Sequence, residues 1–430
     1  MKKILLISQN SLSNHANNGK TLSNIFRTWD SNSLAQLYFQ DEIPESYKFD
    51  KFYRVRDIDL IKKIMHSYYI PVLKVDPLPF VESHYINRSG TFLKLVSVLK
   101  QNAIIKDFIR EVLYSFNSLY FNDLKKYLAG FSPEAIFFVA SDYSFTIDIT
   151  LKLARYFNIP IYMYVLDDRF FMRKESIWNR FFSRRFLFLM SELVKESEQC
   201  FCIGQSMAEK YSEHFKKPFK VLVNPVDEKN ISLVNKSYKV DSKEYKFLYA
   251  GGLTLGRFDA MLELAKILTC VEESGDVHIE FIVCSGDILS EQQVKELENH
   301  SISFLGKLNG NALDELYNEI DFVTHIESDK KKYTRLTALS ISTKIPECLI
   351  KGVCLVGFGP PEIASMKLIY ENDVGAYINS NAGIKMNALA ILKLLNSPEL
   401  CEKLASNGKK FGNKSFTYDS VLENLSLINN

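Results

Sequence analysis

Phe247-Leu-Tyr-Ala-Gly-Gly-Leu-Thr-Leu-Gly-Arg257 is the stretch on which the fold turns. A short apolar run, Phe247–Ala250, reads as a buried strand. Paired glycines follow, and helical periodicity starts at Arg257. Strand, glycine-bearing loop and helix together make the repeating unit of a doubly wound sheet. The unit recurs downstream. Strands are predicted at Val277–Cys284, Ile302–Leu305, Phe322–Ile326, Val353–Gly357 and Gly375–Asn379. Helices alternate with them at Ser290–Asn299, Asn311–Glu319, Thr343–Lys351 and Pro361–Tyr370, and two more helices end the chain.

Upstream the same alternation predicts strands at Lys3–Ser8, Ala135–Ala140, Ile159–Leu166, Cys200–Gly204 and Phe219–Val223, with helices at Thr21–Asp30 and Tyr143–Phe157. A strand–helix–strand crossover of that length demands parallel pairing. Residues 90–130 are helical in period, and residues 40–88 show no clear one. Asn224-Pro225-Val226-Asp227 closes the first series. The polar, aperiodic stretch 228–246 reads as a linker. The expected fold class is α/β: two Rossmann-like, doubly wound parallel-sheet domains, 1–227 and 247–415, facing a central cleft. Ligands of such sheets bind outside the carboxyl ends of the strands.

Composition narrows the function classes. Of 430 residues only 18 are Gly and 12 Pro, which excludes collagen-like and wholly disordered chains. Lys and Arg (53) nearly balance Asp and Glu (51), so nothing points to nucleic acid. The seven cysteines lack zinc-ligand or CxxC spacing, and Cys200 and Cys202 alternate inside an apolar run. They read as buried thiols of a reducing, cytoplasmic protein. The four-residue apolar run after Met1-Lys-Lys is too short for a signal-peptide core, and no stretch approaches a membrane span.

Four loops could carry chemistry. Asn14-His-Ala-Asn-Asn-Gly19-Lys20-Thr21 mimics a phosphate-binding P-loop, but Asn14 stands where that loop needs its first Gly. The plainer reading is a loop at a helix start, with Asn18 and Gly19 open to a substrate. Gly251 and Gly252 permit close backbone approach to an anion, or simply form a turn, and Arg257 can fork onto a diphosphate. Ser342-Thr343-Lys344-Ile-Pro346-Glu347 opens a helix that ends at Gly352. Lys344 offers a point charge and Glu347 a carboxylate able to take two hydroxyl hydrogen bonds; a capped amphipathic helix explains the same residues. Gly357-Phe-Gly359-Pro360-Pro361-Glu362 is another strand-to-helix loop, with Pro361 suited to a first helical position.

Other polar groups read as ordinary structure or stay open. Asp57-Ile-Asp59 suits a helix start better than a metal site. His325 ends a strand, where it either touches a ligand or packs in the core, and His15 is similar. In Phe171–Glu196, Arg173, Lys174, Arg180, Arg184, Arg185 and Lys195 mingle with Trp178, Phe181, Phe182, Phe186 and Phe188. A helix of this kind either lies on an anionic bilayer or turns its aromatic side into the first domain.

Residues 247–415 resemble the donor half of a GT-B glycosyltransferase, in the family-4-like group that builds bacterial surface polysaccharides. Tyr249–Arg257, Asp321–Ile326, Ser342–Gly352 and Gly357–Ala364 carry the likeness. The first domain is similar more loosely, through Asn18-Gly19, Asn158-Ile-Pro160 leading to Asp167-Asp168, and Ile203–Tyr211 followed by Asn224-Pro225. The helix from Phe416, 416–430, resembles the segment that crosses back onto the first domain.

The resemblance implies a transferase of hexosyl type, moving a sugar from a nucleotide-diphosphate sugar to a glycan or lipid-linked acceptor. It implies no bound cofactor and no metal. It puts Gly251, Gly252, Arg257, His325, Ser342, Thr343, Lys344, Glu347, Gly359, Pro360 and Glu362 around the donor. Arg257 and Lys344 would stabilise the leaving diphosphate, and Asp167 would serve the acceptor together with Asn18, Gly19 and Asp168. Two departures stand out. Leu339 occupies the position eight before Glu347 where the family carries its first Glu, and Leu166 occupies a strand end where many members carry His. A non-catalytic binding subunit and a nucleotide-sugar epimerase are the alternative functions.

Overall fold

The computed structural model describes residues 1–13, 17–45, 48–77, 103–116, 119–172, 180–226, 231, 233–234, 236–239, 242–308 and 310–429. The fold is α/β, in two compact units. One comprises Met1–Asn224 with Val421–Asn430, the other Pro225–Ser420.

In the first unit, strands β1 (Ile4–Ser8), β2 (Leu34–Tyr38), β3 (Phe52–Val55), β4 (Val72–Val75), β5 (Ala135–Val139), β6 (Ile161–Val165), β7 (Ser197–Cys202) and β8 (Phe219–Val221) form one sheet. Its order is β4-β3-β2-β1-β5-β6-β7-β8. Every pairing is parallel except β3 with β4, which is antiparallel. Ile-Leu-Leu-Ile-Ser in β1 and Ala-Ile-Phe-Phe-Val in β5 are buried throughout, because helices cover both faces of the sheet. β3 and β4 lie in the region whose period was unreadable. They are four-residue strands, too short to declare alternation.

The second unit holds β9 (Glu244–Ala250), β10 (His278–Cys284), β11 (Ile302–Gly306), β12 (Phe322–Ile326), β13 (Cys354–Gly359) and β14 (Ala376–Asn379). The order is β11-β10-β9-β12-β13-β14, all parallel. Chain direction across the sheet reverses between β9 and β12, the topological switch point of this topology. Phe247 stacks on Phe322 there, centroids 4.7 Å apart, and joins the two strands beneath the switch. Such a pair contributes about 0.5–1.5 kcal/mol beyond its buried area.

The stretch 228–246 is not a free linker where it is described. Val234 N–H donates to Lys351 O at 3.0 Å, Lys236 pairs with Asp321 at 2.9 Å, and the Tyr238 hydroxyl bridges Asp321 O and Cys354 N. The strand starts at Glu244, inside the expected linker. Its polarity misled because these residues bind backbone and charge at the base of the second sheet. At the far end, the helix Tyr418–Asn429 reaches the first unit, where Asn424 donates to Val221 O at 2.8 Å and the Tyr162 hydroxyl to Leu427 O at 3.1 Å.

The aromatic, basic stretch forms the helix Arg180–Glu196; Arg173, Lys174 and Trp178 lie outside the described residues. Phe186, Met190 and Leu193 are buried. Arg185 turns inward, to Ser115 Oγ at 2.7 Å and Asp148 at 3.2 Å. Phe181, Arg184 and Phe188 face outward. Among the described residues no helix is long and apolar enough to cross a membrane. Cys200 and Cys202 are buried in β7, where desolvation pushes both thiols up, Cys200 to about 11.

Candidate functional site

Three strand ends meet at the switch of the second unit. After β9 the chain makes the Gly251-Gly252 turn, after β12 comes Glu327, and β13 ends in Gly359. The helix Arg257–Gly275 starts behind the glycine turn, and the helix Lys344–Lys351 starts beside it.

Gly251 is required by its neighbours. A Cβ there would stand 2.7 Å from the Tyr249 ring and 2.9 Å from Lys344 Nζ. Its N–H donates to Cys284 O at 2.9 Å, so that amide is committed and does not face a ligand. Gly252 is braced instead: its carbonyl accepts the Tyr249 hydroxyl at 2.7 Å, and Asp287 receives the next amide, Leu253. Asp287 carried no motif in the sequence; its role comes from the neighbouring β10 loop. Gly256 has φ +76, and a Cβ would press against Tyr333 and Ser328.

Lys344 and the glycine turn are brought together. Lys344 Nζ donates to Ala250 O. The residue is exposed, but its ammonium lies against the turn, and desolvation there holds its pKa below the usual lysine range. The charges of Arg257 and Glu347 also act on it, in opposite senses. Glu347 lies one turn along the same helix. Ser342 Oγ receives the Lys344 amide at 3.4 Å, and Thr343 precedes the helix without capping it through its side chain.

Arg257 is joined to Glu327, Nη2 to Oε1 at 2.8 Å, with its side chain a fifth exposed. Glu327 is buried, and desolvation raises its pKa while Arg257 lowers it. Sequence reading missed Glu327. Its only signal was its place immediately after a strand that ends at the switch.

His325 is buried. Its Nε2 lies 3.0 Å from Ser365 Oγ and 3.5 Å from Glu327 Oε1. Burial first, then the Arg257 and Lys344 charges, push its pKa down to about 3, so it is a neutral imidazole. Gly359 packs on Glu327, whose Cβ would be 3.1 Å from a Cβ at Gly359. Pro360 follows directly. One expectation needs correction: Pro361 does not open a helix, because the helix starts at Ala364 and Pro361 lies in the preceding turn. Glu362 is exposed in that turn, and its charge acts on Tyr377.

The first unit has its own switch point, between β1 and β5. A hollow of about 200 Å³ opens there, lined by polar groups including Asn10, Asn18, Ser141, Asp167 and Arg169. Arg169 bridges Asp167 at 3.0 Å and Asp142 at 3.3 Å. Asn18 and Asp167 therefore share one hollow. Asp168 does not join them. It is buried, accepting from the Tyr211 hydroxyl and from Phe171 N, each at 3.0 Å, because it ties down its own loop.

Gly19 lies in the first turns of the helix Asn17–Ile25, where a Cβ would meet Ser11 O at 2.5 Å; it is needed for packing against that loop. Thr21 is buried, whereas a P-loop threonine must reach a metal ion; Asn14 and His15 lie outside the described residues. Asp57 and Asp59 stand in the first turn of the helix Asp57–Met65 and pair with Arg110 and Arg56. Among the described residues no group of three or more His, Cys, Asp or Glu is placed to hold a metal.

The chain has the GT-B fold, two Rossmann-like α/β units in one polypeptide. No family model and no curated protein matches the sequence. Solved structures do match in fold. TarM of S. aureus is 12% identical with a TM-score of 0.61, the match covering 100% of this chain and 99% of that one. Anabaena HepE, solved with UDP, is 12% identical over 99% of both chains, TM-score 0.57. WaaG, a glycosyltransferase involved in lipopolysaccharide biosynthesis, is 10% identical over 99% of both, TM-score 0.55.

Proposed function

We propose that this protein is a glycosyltransferase that moves a sugar from a nucleotide-diphosphate sugar to a glycan or lipid-linked acceptor in surface polysaccharide synthesis. The observation that carries the reading is the placement of two cations at the switch of the second unit, Lys344 against the glycine turn and Arg257 on Glu327, with both charges acting on His325. Two cations at a strand-end crevice, beside two helix starts, form a binding site for a diphosphate. Glu347, on the Lys344 helix, takes the ribose diol. Structures of HepE with UDP and with UDP-glucose, and of a TarM variant with UDP, fondaparinux and α-GlcNAc-glycerol, support a nucleotide-sugar donor and a glycan acceptor.

The chemistry follows from the charges. As the glycosidic bond to the diphosphate breaks, negative charge grows on the leaving oxygen. Lys344, and the face of Arg257 not engaged by Glu327, stabilise it more in the transition state than in the ground state. Two fixed cations perform this without a metal. In the first unit the hollow around Asn18 and Asp167 holds the acceptor, with Asp167 accepting the proton of the attacking hydroxyl.

A panel of nucleotide sugars in thermal unfolding tests the donor assignment. A ligand at 100 Kd should stabilise by about 2.7 kcal/mol. Glu347→Ala should weaken donor binding by about 1.5–3 kcal/mol, the range for a hydrogen bond to a charged group. Lys344→Ala should lower turnover more than affinity, and chelator should leave turnover intact. Binding of no nucleotide sugar refutes the reading. Binding without transfer to any glycan identifies a non-catalytic subunit instead, and donor conversion indifferent to acceptor an epimerase.

A further inference from the structure

Glu327 holds one polar atom that nothing in the fold uses. Its Oε1 accepts from Arg257 and lies 3.5 Å from His325 Nε2. Its Oε2 is buried with no hydrogen-bond partner. The hydroxyl of Thr337 lies close enough to act on the carboxyl, yet it is directed to Tyr333 O at 3.4 Å. His325 Nε2 is already engaged with Ser365. An ionised carboxylate offers about four acceptor positions. Buried oxygens left without a donor are few in folded proteins, and each calls for an explanation, a bound ligand or a water among them.

The partner must be a hydrogen-bond donor, which excludes the diphosphate itself. Glu327 shares Arg257 with the diphosphate, so the group reaching Oε2 is the one bonded to that diphosphate on the side away from the ribose: the transferred sugar. Gly359 packs against the Glu327 side chain: a Cβ there would stand 3.1 Å from both Glu327 Cβ and Met366 Cε, so no larger residue fits beside Glu327 at this strand end. Position 339, eight before Glu347, holds Leu, so no carboxylate comes from there. Glu327 brings one to the same strand-end edge from β12.

We propose that Glu327 is a specificity-determining residue of the donor site, holding Arg257 through Oε1 and receiving a donor-sugar hydroxyl on Oε2. This rests on the donor-site reading above. Calorimetric titrations with UDP and UDP-glucose, and with GDP and GDP-mannose, separate the two. Glu327→Gln keeps an oxygen for Arg257 but replaces the accepting oxygen with an N–H donor. It should raise the Kd of the nucleotide sugar at least tenfold and leave that of the bare nucleoside diphosphate within threefold; the retained affinity also shows that the variant is folded. Glu327→Ala, which frees Arg257 as well, should weaken both ligands. With wild-type protein, one singly deoxygenated UDP-glucose should bind at least tenfold more weakly than UDP-glucose if that is the sugar bound. Equal weakening of both ligands by Glu327→Gln, or no change in either, overturns the inference while the donor site stands. If wild type binds none of the four ligands, the donor-site reading falls first, and this inference with it.

Discussion

The Arg257–Glu327 pair makes a stability prediction independent of any ligand. Nη2 and Oε1 are 2.8 Å apart, and the glutamate side chain is 4% exposed against 20% for the arginine. Removing the arginine leaves a buried, uncompensated carboxylate. Arg257→Met should therefore destabilise the second unit by about 3–5 kcal/mol at pH 7–8, the cost of breaking a buried pair from one side. Glu327→Gln should cost only about 1 kcal/mol, because Arg257 is exposed enough to be hydrated. The double variant should recover most of the Arg257→Met loss, a coupling of about 2 kcal/mol or more.

pH adds an independent check on that pair. In Arg257→Met the folded pKa of Glu327 lies above its unfolded value, since burial raises it and the arginine that opposed burial is gone. The folded state then binds the extra proton, and its stability falls as pH rises through that folded pKa. The deficit should shrink as pH is lowered from 8 to 5. Urea unfolding followed by circular dichroism measures all four proteins. Losses that simply add, with no pH dependence in the deficit of Arg257→Met, would refute the coupling.

Three further expectations follow from particular groups. His325 has its folded pKa lowered to about 3 from 6.5, so as pH falls below 6.5 the unfolded state takes the proton first and stability is lost. Between pH 7 and 5 the loss from this group is about 2 kcal/mol, and His325→Gln should unfold with that much less acid sensitivity in urea titrations; equal sensitivity would show that His325 is protonated in the fold. Gly256→Ala should lower stability by at least about 1–2 kcal/mol, the cost of a left-handed L-residue, before the contact with Tyr333 is counted; an unchanged melting curve would contradict the loop geometry. If the outward face of the helix Arg180–Glu196 meets an anionic bilayer, Phe181→Ser with Phe188→Ser should reduce flotation with anionic vesicles, and flotation unaffected by both rules that face out.

Much of the second sheet was legible in order and kind from local pattern. Strands buried on both faces read as near-continuous apolar runs, so Phe281–Cys284 of β10 and Cys354–Gly359 of β13 announce themselves. Glycines required by close packing, as at Gly251, or by a left-handed backbone, as at Gly352, punctuate the loops, and Lys344 and Glu347 share a helix start because three residues is nearly one turn. Pairing across long separations was not legible. Arg257 meets Glu327 seventy residues away, Lys344 meets Ala250, and Val234, Lys236 and Tyr238 bind at the base of the second sheet. No window of sequence contains both members of such a pair. The direction of a side chain at a strand end also depends on its neighbours, so only the tertiary structure decided that Asp167 lines a hollow while Asp168 is buried beside it. Local composition determines which segments become strands and helices. Burial and long-range partners determine which charges remain available at their ends, and that is where the chemistry of this protein lies.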